Sequence, residues 1–378
     1  MKPLFYAGLF GLLLFEILNV YFIMPMPGSQ RMSSIDLAYF LHSWRWVFRI
    51  VFFGMLTYGF FKARKHKWFS LVAVLFVSAG IYILNFVMAA DHMFYQPRQL
   101  LLVGVGANKV DTQRLIIGVA VNGHAKAYPI QFLGYHHQVF DSIGGSPIIV
   151  TYCTVCRTGR MFQPIVHGRL EKFRLVGMDH FNAMFEDATT KSWWRQATGE
   201  AITGRLKGIK LPEILSTQTS LGEWIRLYPN TLVMQPDPAF ITSYDSTLKY
   251  ENGKSKGSLT RSDSLSWQDK SWVVGVKIGN TTRVYDWNKL KSRRVIQDTI
   301  DKTVIGLVLA RDNKTFFAFS LLSPGDKLLI QNDTLLIAND KYRLDGQGIT
   351  TAKSLERRPA YQEFWHSWRT FHPESMRK

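Results

Sequence analysis

Cysteine is almost missing from this chain: its 378 residues include only Cys153 and Cys156. Two cysteines exclude a disulfide-stapled scaffold and a four-cysteine zinc site, and they confine all thiol chemistry to VTYCTVCRTG, residues 150–159. Other signatures are missing too. There is no phosphate-binding P-loop and no H-E-x-x-H helix, and the G-x-S-x-G run GKSKG at 253–257 follows a polar stretch and no apolar strand, so the common NTPase, metalloprotease and hydrolase readings fall away. The glycines of GVGAN at 104–108 lack dinucleotide spacing. Acidic residues are few, 28 against 46 Lys and Arg, for a formal net charge of +18. The basic residues are spread along the chain and form no patch interleaved with aromatics. That pattern argues for a surface facing anionic lipid and against nucleic acid as a partner.

Long apolar runs are present, all near the N-terminus: about 4–26, 44–62 and 68–90. Each approaches the ~20 residues that a helix needs to cross a bilayer. The first holds one acid, Glu16; the second carries Arg45 and Arg49 near its start, where long stems can snorkel. The first run is too long for a signal-peptide core, and Met-Pro-Met-Pro-Gly follows in place of a small-x-small cleavage site, so it reads as a retained helix. The dense basic stretch from Lys62 to Lys67 is expected to stay cytoplasmic, and Lys2 agrees. These signals predict a multi-pass protein of the inner (cytoplasmic) membrane whose chain after about Asp91 faces the periplasm or the outside. Thiols there tend to be oxidised unless a metal or a reducing partner holds them.

The remaining divisions are a linker at 91–110, a soluble domain at 111–330 and a C-terminal extension at 331–378. The expected class is α+β and β-rich. Ile116 to Val121 leads into Asn122-Gly123, a strong two-residue hairpin signal. The pattern returns 157 positions on: IIGVAVNGHAKAYPIQFL at 116–133 lies over VVGVKIGNTTRVYDWNKL at 273–290. Carried without a gap over 116–162 and 273–319, about nine of the aligned positions are identical, which predicts a duplicated domain of two related halves. Cys153 and Cys156 then face Ala310 and Asn313, while His136 and His137 face Arg293 and Arg294. Only the first half carries thiols and imidazoles. The stretch 167–250 between the halves reads as connection and cover, with Trp193-Trp194 as core and a helix at Ser220 to Leu227. The aromatic stretch Pro359 to His372 reads as a helix docking on the domain or at the membrane surface.

Residues 147–152 read as a strand and Arg157 to Phe162 as a turn and a further strand, so the C-x-x-C lies between strands and not at a helix start. A hairpin turning near Gly144 sets His136 opposite about Tyr152, one residue from Cys153; a slip of one residue exchanges it for Tyr135 or His137. Two thiolates with an imidazole suit a soft ion, Cu(I), and leave zinc one ligand short, with His137, His180, Met161 and Met178 as further donors by type only. The alternatives are a thiol–disulfide couple and a plain disulfide, although so small a ring restrains little chain entropy. Arg157 and Arg160 would favour thiolate over thiol. Lone His124 and His167 read as surface residues.

The runs Gly118 to Ile130 and His136 to Phe162, the latter with the core T-Y-C-x-x-C-x-T-G, resemble a bacterial and archaeal family of domains of unknown function. Trp194, Gln196, Thr198-Gly199-Glu200-Ala201, Trp224 and Tyr228-Pro229 match it as well, so the resemblance spans about 105–320. It implies that His136, Cys153 and Cys156 act as a set, and it implies no reaction. The chain departs from the pattern at His137, where an acid often stands, and at Phe140, where Asn is usual. The N-terminal helices are an addition that many relatives lack. The leading expectation is a membrane-anchored extracytoplasmic copper site for delivery or electron transfer, with Cys153, Cys156, His136 and His137 as donors. The alternative is a thiol–disulfide oxidoreductase in which Cys153 attacks, Cys156 resolves and His136 is the base. A third reading is a non-catalytic scaffold with a structural disulfide. Expected partners are the lipid bilayer and a periplasmic redox or metal-transfer protein.

Overall fold

The computed structural model describes residues 2–62, 67–321, 323 and 325–378, arranged in two compact units. The basic stretch that sets the expected orientation falls at 63–66, outside the described residues.

The first unit comprises 1–95, 171–195 and 200–210. Its long helices are Lys2–Tyr21, Arg45–Lys62 and Lys67–Tyr82, the last running on through a π-helical turn at Ile83–Val87. Two are long and apolar enough to cross a membrane, Pro3–Tyr21 and Trp68–Val87. Helix Arg45–Lys62 packs on the first through glycines: a Cβ at Gly59 would lie 2.5 Å from the Phe5 nitrogen, and one at Gly8 as close to Leu56. Arg49 does not snorkel. It holds the buried Glu16 through two bonds of 2.6 and 3.0 Å, and Asn85 donates to the same carboxylate. Burial of a carboxylate in so apolar a place requires such a partner.

The stretch expected to be mere cover builds the second layer of this unit, a four-stranded antiparallel sheet of Phe173–Asp179, Asn182–Asp187, Trp193–Arg195 and Ala201–Thr203. Trp193 and Trp194 are buried, as expected of core residues, and their indole N–H groups bond Glu186 and Asp187. Trp193, Val176 and Met184 share a core with Val20, Ile23 and Ala38.

The second unit takes 96–170, 196–199 and 211–378. Two runs of elements in it follow the same order. In the first, strands Leu115–Val121 and His124–Pro129 form a hairpin whose Asn122-Gly123 turn is left-handed at both residues (φ 50° and 79°). Helix Ile130–His136 follows, then the hairpin of Gln138–Ile143 with Ser146–Cys153, then Thr158–Phe162. In the second, the elements are Trp272–Ile278, Thr281–Asp286, helix Trp287–Arg293, Val295–Ile300, Thr303–Leu309 and Phe316–Ser320. The registers correspond position by position: Ile116 pairs with Pro129 and Val273 with Asp286; Gln138 with Thr151 and Val295 with Val308. Tyr128 donates to Asp141, and Tyr285 to Asp298.

The correspondence continues past Phe162, beyond the aligned repeat. Strand Thr217–Ser220 pairs antiparallel with Leu115–Val121 and leads into helix Leu221–Leu227; Ala360–Phe364 pairs with Trp272–Ile278 and leads into helix Trp365–Phe371. Trp224 lies against Gly118 and Trp368 against Gly275. Each indole donates to a hydroxyl seven residues on, Thr231 and Ser375. Leu232–Met234 and Met376–Arg377 then close their sheets as parallel strands. The stretch 331–378 is therefore no appended extension: its last third supplies strand and helix to the second run, because an open edge at Trp272–Ile278 needs a partner.

Candidate functional site

The two cysteines lie at either side of one tight turn. Cys153 ends its strand opposite Thr158, and residues 154–157 form the turn, which puts Cys156 back toward Cys153. They lie 4.3 Å apart, both free thiols and both fully buried. The turn closes on Arg157, which takes a left-handed backbone (φ 58°) that a bulky residue seldom adopts. Its side chain explains how the conformation is held. The guanidinium stacks 3.8 Å from the Trp272 ring and 5.1 Å from the Tyr250 ring, and donates to Gln362 and to the carbonyls of Tyr250 and Glu251. Backbone strain of this kind, over-determined by its surroundings, is characteristic of functional turns.

The cover comes from the far end of the chain. Phe364 N donates to the Cys156 carbonyl, and His366 Nε2 meets the Val155 carbonyl at 3.2 Å. The Ser367 hydroxyl lies beside the Cys156 thiol and donates to Glu363 at 2.9 Å; Glu363 in turn pairs with the buried Arg160. Lys270 donates to the carbonyls of Val155 and Leu259 and sits 4.7 Å from the Phe364 ring. Burial, and then the neighbouring Cys153, push the Cys156 thiol well above the ordinary thiol range, opposed by Ser367 and Lys270. Burial also lowers the Lys270 ammonium, while both thiols act to hold its proton. The His366 imidazole is pushed down to about 4, mainly by burial. The site is thus a buried thiol pair near a cation and a hydroxyl–carboxylate–guanidinium chain.

The expected imidazoles are placed as follows. The Gly144-Gly145 turn is left-handed at both residues and joins Ile143 to Ser146, so the register differs by one residue from that expected: Tyr152 N donates to the His137 carbonyl. His136 is the last residue of the helix that leads into this strand and lies outside the paired ladder. His136 is buried among Tyr135, Phe240 and Tyr244, and its Nε2 lies 2.8 Å from the Tyr244 hydroxyl. His137 caps the helix with a left-handed backbone (φ 60°), and burial pushes its imidazole down to about 4. Among the described residues no group of three or more His, Cys, Asp and Glu is disposed to hold a metal ion, and the set Cys153, Cys156, His136 and His137 forms none. The expected donors His180 and Met178 belong to the other unit, where His180 bonds Asp179; Met161 is buried in the core of the second unit. Arg160 is engaged with Glu363, not with a thiol.

Sequence reading missed Lys270, Glu363, Ser367 and His366. The last three lie in the aromatic Pro359–His372 stretch, which did signal docking. Lys270 lies in a polar loop that signals nothing.

A family model described as a protein of unknown function, DUF3179, matches residues 103–375. The chain belongs to that family. The match runs from the first strand of the second unit through the closing helix, and leaves the N-terminal helices outside it. No curated protein and no solved structure matches the chain.

Proposed function

We propose that Cys153 and Cys156 form a reversible thiol–disulfide couple in a membrane-anchored protein whose second unit lies outside the cytoplasm. The carrying observation is the pair itself: two thiols 4.3 Å apart across one strained turn, with no disulfide between them and with one cation and one hydroxyl nearby. Closing the bond requires the turn to bring the sulfurs to about 2 Å with the Cβ atoms about 4 Å apart and suitably directed, a short movement from this separation. In the working direction a Cys153 thiolate attacks a disulfide of a protein partner, forming a mixed disulfide and releasing the partner's first thiolate. The Cys156 sulfur, on losing its proton, then attacks Cys153 and releases the second. The pair loses two electrons and two protons, and the partner disulfide gains both. His136, at the end of the helix that leads into the neighbouring strand, is assigned the Cys153 proton; Lys270 favours the thiolate; burial of Cys156 suits the resolving role. Because both sulfurs are buried, exchange requires the segment from Phe364 to Ser367 to yield.

A copper reading rests on the same atoms. Two thiolates bind Cu(I) with one net negative charge, which Lys270 would offset. The matching registers and the paired Trp–Gly contacts further support reading the second unit as a duplication in which one half kept the chemistry. The apolar helices support a membrane anchor, with three passes if Arg45–Lys62 also crosses.

The test is the full chain purified in detergent, beside Cys153→Ser/Cys156→Ser. Free thiols are counted before and after exposure to glutathione buffers, and metal is assayed on the same sample. A reversible two-electron transition above about −300 mV, absent from the double variant, is expected. Near-stoichiometric copper lost in the double variant would replace the redox reading with the metal one. Thiols that never oxidise, with no metal, would leave a scaffold.

A further inference from the structure

The second unit holds a cavity of about 620 Å³ away from the thiols, at the other end of the first run of elements. Its floor is the Asn122-Gly123 turn with His124, one wall is Tyr228 at the end of its helix, and the opposite wall is the segment between Ser320 and Ala360. That segment contributes Arg343, Asp345 and Arg357. The volume lies within the range of small-molecule sites.

The charges in it do not balance. Asp345 is buried and pairs with Arg343 at 3.2 Å. Arg357 donates to Thr217, lies near the Tyr228 phenol and 5.0 Å over the Phe317 ring, and forms no ion pair among the described residues. One carboxylate thus stands against two guanidiniums in a half-enclosed space. A guanidinium held against an aromatic face, with part of its fork open to a cavity, is suited to two-point binding of an oxyanion. Asn122 and His124 add polar groups on the facing turn, at a backbone that is itself fixed by its left-handed residues. The corresponding turn of the second run is Gly279-Asn280, and it is followed by Thr281 in place of His124.

We propose that this cavity binds a small ligand through a carboxylate or phosphate group, gripped by Arg357 and Arg343 with Asp345 as the competing internal anion. The site is independent of the thiol pair, so neither assignment depends on the other.

The experiment is calorimetric titration of the full chain in detergent, at low chloride, with inorganic phosphate and separately with succinate. Saturable binding of at least one probe, in the millimolar range or tighter, is expected. The probe that binds more tightly identifies the oxyanion class. Arg357→Gln should weaken binding at least tenfold. Asp345→Asn should tighten it several-fold, an effect of sign that a purely structural role for Asp345 does not produce. Arg343→Gln alters a side chain more than a third exposed, and it keeps the test decisive where either buried variant fails to fold. No saturable heat with either probe, or binding unchanged in Arg343→Gln and Arg357→Gln, overturns the proposal.

Discussion

The two turns that end the matching hairpins of the second unit share a ladder and differ in everything above it. In the first, Cys153 faces Thr158 across Thr154 to Arg157, and Val155, Cys156 and Arg157 are all buried. In the second, Ala310 N donates to the Thr315 carbonyl across Arg311 to Lys314, and Asp312 caps the turn by accepting from the backbone N–H of Lys314 and Thr315. Each turn has one left-handed residue. In the second it is Asn313, a type that tolerates that conformation; in the first it is Arg157, which does not and must be held by rings and carbonyls. Both turns also bond distant groups, the second through Ser220 to Asp312 and Lys314 to Gln113. The difference lies in burial: Arg157 and Cys156 are enclosed, whereas Arg311 and Asn313 are exposed.

The largest effect expected tests whether the two runs are equally packed. A Cβ at Gly275 would stand 2.0 Å from the Trp368 ring, and one at Gly118 2.6 Å from the Trp224 ring. Neither indole can retreat without breaking its bond to Ser375 or Thr231. Gly275→Ala should destabilise by about 3 kcal/mol or more and Gly118→Ala by about 2 kcal/mol. Thermal melting followed by near-ultraviolet circular dichroism reads both. Equal losses would mean the two contacts are equally tight, and a negligible loss at either glycine would break the proposed correspondence of the two tryptophans.

A graft sharpens the comparison. Placed in a Cys153→Ser/Cys156→Ser background, the pair Ala310→Cys and Asn313→Cys takes the same relative positions without the cover. Position 313 is exposed, so its thiol should react with iodoacetamide about a hundredfold faster than the native pair in the folded chain. Comparable rates would mean that turn geometry, and not burial, governs the native thiols. Lys270→Met addresses the electrostatics of the first turn alone. Removal of the cation destabilises thiolate, so oxidation of the pair at pH 8 should slow about tenfold, and Lys270→Arg should restore part of it. Unchanged oxidation would reduce Lys270 to a strut for the Val155 and Leu259 carbonyls.

Much of the first turn was legible in the sequence because its determinants are local. Alternating residues, Asn122-Gly123 and Gly144-Gly145 fix both hairpins, and the C-x-x-C between two strands follows from them. The single-residue shift in register has a local cause as well: the turn centres between Gly144 and Gly145, joining Ile143 to Ser146, and not on Gly144. The shared pattern was visible over 116–162 and 273–319 but not over 217–234 and 361–378, where there is little identity beyond a Trp and a following Pro, and where the spacing falls from 157 to 144. The cage was not legible. Lys270 belongs to a loop with no periodicity, and Ser367 approaches Cys156 from over two hundred residues away, a juxtaposition that only the assembled sheet creates. Glu16 and Arg49, read separately as anomalies in apolar runs, explain each other once the helices are packed.

The smallest effect concerns the cover of the first turn and has a definite sign. His366 sits on the Val155 carbonyl with its imidazole pushed down to about 4 from an ordinary 6.5. A base whose folded value is depressed takes up its proton mainly in the unfolded chain, so its contribution to stability is complete above 6.5 and declines as pH falls toward 4. By pH 5.5 the loss from this one group should be about 1 kcal/mol. His137, pushed down to about 4 as well, adds a loss in the same window that is unconnected with the cover. The difference between wild type and His366→Gln therefore isolates the cover: melting temperatures recorded from pH 7.5 to 5 should fall less steeply in the variant. If the slopes coincide, the imidazole titrates freely in the fold, and the segment over the thiols is looser than its hydrogen bonds to Val155 and Cys156 imply. Thiol oxidation would then need no opening step, and its rate in wild type should rise with pH only as fast as the thiolate population does.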